Sequence, residues 1–481
     1  MFLQRFYDDQ LAQASYLLGC AATGEALVVD PARDVAQYVE AARREGLRVT
    51  HVTETHIHAD FVSGARELAA ATGARLLLSG EGGAEWQYAY AAADGATLLR
   101  DGDVFPVGNV RVEVMHTPGH TPEHLCFVVT DTAAADRPMG VFTGDFVFVG
   151  AVGRPDLLER AVRQSGTMEK GARQLFASLR RFKAALPDWV QLWPGHGAGS
   201  ACGKSLGAVP TTTLGYEALF NPGLAQADEE AFVADVLAGQ PEPPMYFAEM
   251  KRMNREGPRV MGALSRPPRR ADAELAEVLR AGAPVLDTRP AAEFARRHVP
   301  GTLSVPLGKS FSTWAGSVLP YGPDFYLLAP EGADDERMAA IARDLVMIGL
   351  DRAAGWFAAS AIDPAIGGEG RAGQVPDVQP DELEAMLAGG AELVDVRNSS
   401  EYAAGHLAGA ANLPLGRLVE RIDELPRDRT LVVHCQAGGR ASVAAALLAS
   451  RGFTDVRHLA GDYAGWSQSG RPVEQGDPVP A

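Results

Sequence analysis

The sequence predicts an α/β protein: one large domain followed by two sibling domains. Two observations predict it. Up to about residue 255, short β-like runs alternate with helical stretches. Beyond about residue 270, a set of residues recurs at one constant offset.

The elements follow in order. Glu25-Ala26-Leu27-Val28-Val29-Asp30, Val110 to Met115, His124 to Thr130 and Val141-Phe142-Thr143 are dominated by apolar and β-branched residues and read as strands. Val35 to Glu45, Gly64 to Thr72 and Gly171 to Leu186 carry helical spacing. Glu242-Pro243-Pro244 to Gly257-Pro258 is rich in proline and leads out of the large domain. Arg266 to Arg270 (RPPRR) reads as an exposed linker.

In the repeat, Val285-Leu286-Asp287-Thr288-Arg289 aligns with Leu393-Val394-Asp395-Val396-Arg397. Glu293-Phe294, His298, Gly301 and Pro306-Leu307-Gly308 align with Glu401-Tyr402, His406, Gly409 and Pro414-Leu415-Gly416, all at the same offset of 108. Chance does not hold one offset over so many positions. Each copy reads as strand, helix, strand, helix around a parallel sheet. The expected boundaries are 1–255, 270–365 and 375–475.

Composition narrows the function. A chain of 481 residues makes two to four domains. Hydrophobic residues are 46% and charged residues 22%, as in a globular protein in water. The net charge of −17 argues against nucleic acid and anionic membranes as partners. No apolar run reaches the ~18 residues of a membrane span, and Met1 to Asp9 lacks the pattern of a signal peptide. Four cysteines make no disulfide framework. A cytoplasmic protein with free thiols is expected.

The most informative stretch is Thr55-His56-Ile57-His58-Ala59-Asp60-Phe61, after an apolar run (Leu47, Val49, Val52). Alternation in an extended segment turns His56, His58 and Asp60 to one side. Chains that bind two metals with this pattern carry a second His where Phe61 stands. One metal site therefore reads as intact and the other as short of a ligand. His120 in TPGHT, Asp145 in TGD and His196 in PGHG complete an ordered set at strand ends and Gly/Pro turns. Imidazole and carboxylate suit Zn, Fe or Mn, and no cysteine joins the set, which speaks against a thiolate site. A lone His in a β-run is usually structural; the ordered set is far more specific. His116 and His124 read as packing or hydrogen-bonding residues.

On these motifs, with Gly153-Arg154-Pro155-Asp156, residues 1 to about 255 resemble the metallo-β-lactamase fold and its persulfide dioxygenase branch, related to the glyoxalase II thioesterases. The resemblance implies an αββα sandwich. It implies one iron(II) per chain, held by His56, His120 and Asp145, with zinc as the other option. His58, Asp60 and His196 then form a second shell or a second-metal position. It implies oxidation of glutathione persulfide with O2 to sulfite, as in hydrogen sulfide detoxification. Arg154, Tyr246, Lys251, Arg252 and Asn254 are carried over as substrate contacts, Arg154 through a forked ion pair or else a plain surface one.

A thiol motif ends the chain. His434-Cys435-Gln436-Ala437-Gly438-Gly439-Arg440-Ala441 follows an apolar strand and precedes a helix. Backbone N–H groups at a helix start, with Arg440 beside them, lower a thiol's pKa and make a sulfane-sulfur acceptor. This domain resembles rhodaneses: Asp395, Arg397, Glu401 and His406 match their upstream framework, and Gly461, Tyr463 and Trp466 their closing segment. The preceding copy has Ala329 at the Cys position and reads Ala329-Pro330-Glu331-Gly332-Ala333-Asp334, so it is expected to be silent. Cys202 lies six residues after His196, near Lys204, and has two readings of equal weight: a sulfur acceptor near the metal or a buried loop thiol. Cys20 and Cys126 read as structural.

The expected whole is a fused sulfur-processing enzyme with small persulfides or thiols, O2, and sulfite or thiosulfate as partners. Family analogy allows dimers or tetramers. A zinc thioester hydrolase and a non-enzymatic persulfide sensor are the competing readings.

Overall fold

Strands buried on both faces decide the architecture of the first half. In the computed structural model, the described residues are 1–162, 166–204, 206–240, 242–264, 266–367 and 371–476. β1 (Phe2–Asp8), β2 (Gln13–Cys20), β3 (Glu25–Val29), β4 (Arg48–Thr53), β5 (Arg75–Ser79) and β6 (Thr97–Leu99) form one sheet in that order. β7 (Val104–Val107), β8 (Val110–His116), β9 (Leu125–Asp131), β10 (Gly140–Gly144), β11 (Gln191–Pro194) and β12 (Thr212–Thr213) form a second. The strands expected from sequence are β3, β8, β9 and β10.

Alternation along the strands divides the apolar residues between layers. Tyr16, Leu18, Leu27, Val29, Val112, Phe127, Phe142 and Trp193 meet between the sheets. Leu17, Val28 and Val52 face the other way, onto Tyr38 and Ala41 of the helix Ala36–Arg44 and Leu68 of the helix Ala65–Thr72. Val128, Val141 and Leu192 face Leu175, Leu179 and Phe182 of the helix Thr167–Ala185, with Phe232 of the helix Glu229–Leu237. The expected αββα sandwich is present. Covering both faces explains why every residue of β2 is buried.

The chain divides into two units, Met1–Leu264 with Val346–Gly349, and Ser265–Leu345 with Leu350–Ala481. The second unit carries two parallel sheets. β13 (Val285–Asp287), β14 (Leu303–Ser304), β15 (Phe325–Leu328) and β16 (Ala353–Phe357) are ordered β14-β13-β15-β16. β17 (Asp377–Val378), β18 (Glu392–Asp395), β19 (Ala411–Asn412), β20 (Leu431–His434) and β21 (Val456–Leu459) are ordered β17-β21-β20-β18-β19. The repeat holds at the level of register. Asp287 pairs with Ser304 as Asp395 pairs with Asn412. His298 stacks on Phe294 at 3.9 Å, and His406 on Tyr402 at 3.7 Å.

The expected linker is not wholly exposed. Pro267 is buried, and Arg270 N donates to Trp356 O at 2.8 Å, so the segment runs against β16. Among the described residues no helix is long and apolar enough to cross a membrane.

Candidate metal centre and thiol site

The HxHxD segment is a loop, not the extended run expected from its alternation: β4 stops at Thr53, and Glu54 to Phe61 carry no regular structure. Asp30 holds it. This residue directly follows β3 in a left-handed conformation, φ +52°, and accepts from Thr55 N at 2.6 Å and from Thr55 Oγ1 at 2.9 Å. Its Oδ1 also lies 3.1 Å from His58 Nε2. Glu123 Oε1 accepts from Ile57 N at 2.9 Å. Asn254 Nδ2 donates to His58 O at 2.8 Å and Phe61 O at 2.7 Å. With its hydrogen bonds met by side chains, the loop distributes its ligands instead of aligning them.

His56, His120 and Asp145 are brought together, one ligand atom of each within 4.8 Å of the others. His120 Nε2 lies 3.5 Å and His56 Nε2 4.0 Å from Asp145 Oδ2. A backbone carbonyl and a hydroxyl oxygen set the tautomers. His120 Nδ1 donates to Arg154 O at 2.9 Å. His56 Nδ1 donates to Thr55 Oγ1 at 3.0 Å, whose own proton goes to Asp30. Both Nε2 atoms therefore present lone pairs to Asp145. Neither Asp145 oxygen has a hydrogen-bond partner. Burial holds the Asp145 carboxyl up at about 6 and the His120 imidazole down at about 3. Buried acceptors converging without a donor fit a cation.

A second group adjoins the first: Asp60, His196 and Cys202, again within 4.8 Å. His196 Nδ1 donates to Ala12 O at 3.0 Å, and its Nε2 lies 3.2 Å from Asp60 Oδ2 and 3.5 Å from Asp145 Oδ1. Asp60 and His196 thus stand where a second metal or an outer shell was expected, while His58 turns to Asp30. The expectation that no cysteine joins the set is corrected. Cys202 is buried there, and burial, with Asp60 nearby, pushes its thiol up to about 12. Gly144, at φ +47°, and Gly195 leave room for the cluster; a Cβ on Gly195 would sit 2.9 Å from Asp145 Oδ1.

The carried-over substrate contacts are corrected. Arg154 is 0% exposed and forks onto Asp156 at 2.8 and 2.7 Å, with Nη1 on Ala201 O at 2.8 Å, so it neither faces substrate nor forms a surface pair. Arg252 pairs with Glu249 and Glu256 on the exposed side of the helix Tyr246–Glu256. Tyr246 is buried against Phe247 at 5.2 Å. Asn254 braces the ligand loop. Lys251 alone of this group remains a cation directed inward: it is buried, its ammonium lies 4.3 Å from the Trp86 ring, and burial lowers it to about 8.

Sequence reasoning missed Asp30 and Glu123. An acid between a β-run and Pro31 is the only signal Asp30 offered. His124 fills its expected role: its ring stacks on His56 at 5.2 Å and its Nε2 accepts from Asp145 N at 3.2 Å. Cys126 is core, as expected, and Cys20 ends β2.

Cys435 follows β20 and is 2% exposed; Gly438 N donates to its Sγ at 3.1 Å. The expected low thiol pKa is corrected. Burial and the Asp462 charge raise it, outweighing the loop N–H groups and Arg440. Arg440 is itself bridged to Glu401 at 2.6 and 2.8 Å, so little of its charge is left for the thiol. Arg397 forks onto Asp395 and lies 3.8 Å over the Tyr463 ring. Ala329 follows β15 as Cys435 follows β20, with Asp287 pairing Leu328 as Asp395 pairs His434.

Comparison with known proteins matches residues 8–196 to the metallo-beta-lactamase superfamily and residues 379–469 to the rhodanese-like domain. A crystal structure of a metallo-beta-lactamase from Staphylococcus aureus is 41% identical, with TM-score 0.68, covering 74% of this chain and 99% of that one. A hydroxyacylglutathione hydrolase of Polaromonas is 33% identical over 183 residues, 38% of this chain. The chain spans 61% of that relative's length. A mitochondrial persulfide dioxygenase of Bos taurus is 28% identical over 231 residues, 48% of this chain and 78% of its own.

Proposed function

This chain belongs to the metallo-beta-lactamase superfamily and carries a C-terminal rhodanese-like domain, and from that premise we propose a sulfur-processing enzyme. It oxidises a low-molecular-weight hydropersulfide, such as glutathione persulfide, with O2 to sulfite, and it moves sulfane sulfur through Cys435. The observation that carries this reading is Asp145: a buried carboxylate without a donor, facing two imidazole lone pairs.

His56, His120 and Asp145 would hold one iron(II), which supplies redox chemistry and free positions for sulfur and O2. Thr55 and the Arg154 carbonyl fix the two imidazoles, and His124 fixes the Asp145 backbone. Phe61, packed on His58 at 4.4 Å, removes the imidazole a two-metal site needs. Lys251 offers an anion-binding charge on the side of His120. The net reaction takes RS–SH, O2 and water to RSH, sulfite and two protons; His196, held between Ala12 O and Asp60, keeps its own proton beside that group. Cys202, grouped with Asp60 and His196, is the candidate sulfur acceptor at that end.

In the last domain, the Cys435 thiolate attacks the outer sulfur of RS–SH. A new S–S bond forms to Cys435, and RS⁻ leaves. Sulfite then attacks that outer sulfur, giving thiosulfate and the free thiolate. Residues 270–365 are assigned as a silent rhodanese-like copy. Fusion raises the concentration of one site's product at the other.

A zinc thioester hydrolase is the second reading. The hydroxyacylglutathione hydrolase resemblance and the Asp60–His196–Cys202 group favour it. The deciding experiment is oxygen-electrode turnover of glutathione persulfide by anaerobically prepared, iron-loaded protein, with metal analysis on the same sample. Oxygen uptake with one iron per chain supports the dioxygenase. Two zinc ions with thioester cleavage and no uptake replaces it.

A further inference from the structure

One residue beside Cys435 sits where an L-amino acid is disfavoured. Asp462 has φ +54°, directly after Gly461 at φ +79°. Asp tolerates this region better than most residues, but glycine takes it without strain. What the carboxylate does there accounts for the choice. Asp462 is 3% exposed, and its Oδ1 accepts from Cys435 N at 2.7 Å. Its Oδ2 lies 3.0 Å from His458 Nε2. The other ring nitrogen of His458, Nδ1, lies 2.9 Å from Asp377 Oδ1.

Both neighbours of the ring are carboxylates, which only accept when ionised. Two such bonds require a proton on each ring nitrogen, so His458 is an imidazolium. It is anchored by Asp377 on β17 and spends its other proton on Asp462. The remaining charges around Cys435 are matched elsewhere: Arg440 by Glu401, Arg397 by Asp395, while His434 lies 3.7 Å from Asp395. Asp462 is the carboxylate bonded to the cysteine's own backbone, and His458 is its counter-charge.

We propose that Asp462 is a positioning residue for Cys435, and that His458 governs the charge Asp462 presents to the thiol. The carboxylate fixes the cradle loop through Cys435 N, which aims Sγ at the Gly438 amide. Its negative charge opposes the thiolate, and the imidazolium relieves that opposition. The ease with which Cys435 ionises is therefore set by the Asp377–His458–Asp462 chain as well as by the loop amides. The inference rests on Cys435 being the sulfur carrier, but its test reads the thiol directly and does not depend on oxygen uptake or sulfur transfer.

The test is pulsed alkylation of the full-length chain with iodoacetamide across neutral to alkaline pH, following the peptide that bears Cys435 by mass spectrometry. Asp462→Asn keeps an acceptor for Cys435 N and tolerates the positive φ, but carries no charge. Its alkylation midpoint moves to lower pH, giving about tenfold faster modification near neutrality for about one pH unit. His458→Gln cannot carry charge, so its midpoint moves to higher pH. Cys126, buried in the other unit's core, serves as an unreactive control for chain integrity. If Asp462→Asn misfolds locally, Asp462→Gly adopts the backbone without strain and removes the charge together with the acceptor for Cys435 N, and its midpoint also moves to lower pH. Opposite shifts in the two variants support the proposal; shifts in one direction, or none, overturn it.

Discussion

His120 Nδ1 donates to the backbone carbonyl of Arg154 at 2.9 Å, while the Arg154 guanidinium forks onto Asp156 in the interior. Arg154 is thus a strut: its side chain fixes its backbone, and its backbone fixes a ligand imidazole. Arg154→Ala takes the forked partner from buried Asp156, which keeps Arg160 at 3.0 Å, and costs about 1–3 kcal/mol. Arg154→Lys does not rescue it, because an ammonium lacks the fork. Thermal melting and metal content check this. A raised KM with unchanged stability and metal content would return Arg154 to substrate binding.

Asp30 organises the ligand loop without reaching the metal group. Asp30→Ala frees Thr55 and His58 together, so metal affinity falls by about 10–100-fold. Asp30→Asn retains an acceptor and loses less. Competition with a chelator measures both.

Metal retention depends on pH with a definite sign. Asp145 sits at about 6 in the metal-free protein, so protons compete for the carboxylate as pH falls through that value. Affinity is steady above about pH 7 and weakens about tenfold per unit once the site is mostly protonated, below about pH 6. Dialysis at stepped pH with metal analysis reads this. Retention that improves on acidification contradicts the placement of Asp145 among the ligands.

The two C-terminal copies are not interchangeable. Cys435→Ser abolishes sulfane-sulfur transfer and leaves oxygen uptake. Adding Ala329→Cys to that variant does not restore transfer. The Ala329 loop carries Glu331 and Asp334, and Asp334 Oδ1 caps Arg337 N at 2.9 Å, placing negative charge where the Cys435 loop offers the Gly438 amide to sulfur. Transfer assays with a small persulfide donor and sulfite measure both variants.

Much of this was legible beforehand. The runs that became β3, β9 and β10 are continuous apolar stretches, readable because those strands are covered on both faces, whereas β8 alternates valine with charged residues. The constant offset of the repeat survived into matched strand register at Asp287 and Asp395. His56, His120 and Asp145 were identifiable because each lies in a short motif of distinctive composition. Asp30 was not, since nothing local distinguishes an acid that braces a loop from one that ends a strand. Arg154 and Arg252 were misread for the same reason: their ion-pair partners decide whether a guanidinium faces a ligand, the interior or solvent.

By itself, the sequence determined the element pattern, the duplication and the chemical types available for a metal and a thiol, because these are properties of neighbouring residues. Only the tertiary structure decided which of them meet. Folding brought Cys202 beside Asp60 and His196, turned His58 toward Asp30, and set Asp462 against Cys435. Those pairings join residues far apart in the chain, and only packing brings distant side chains within bonding distance.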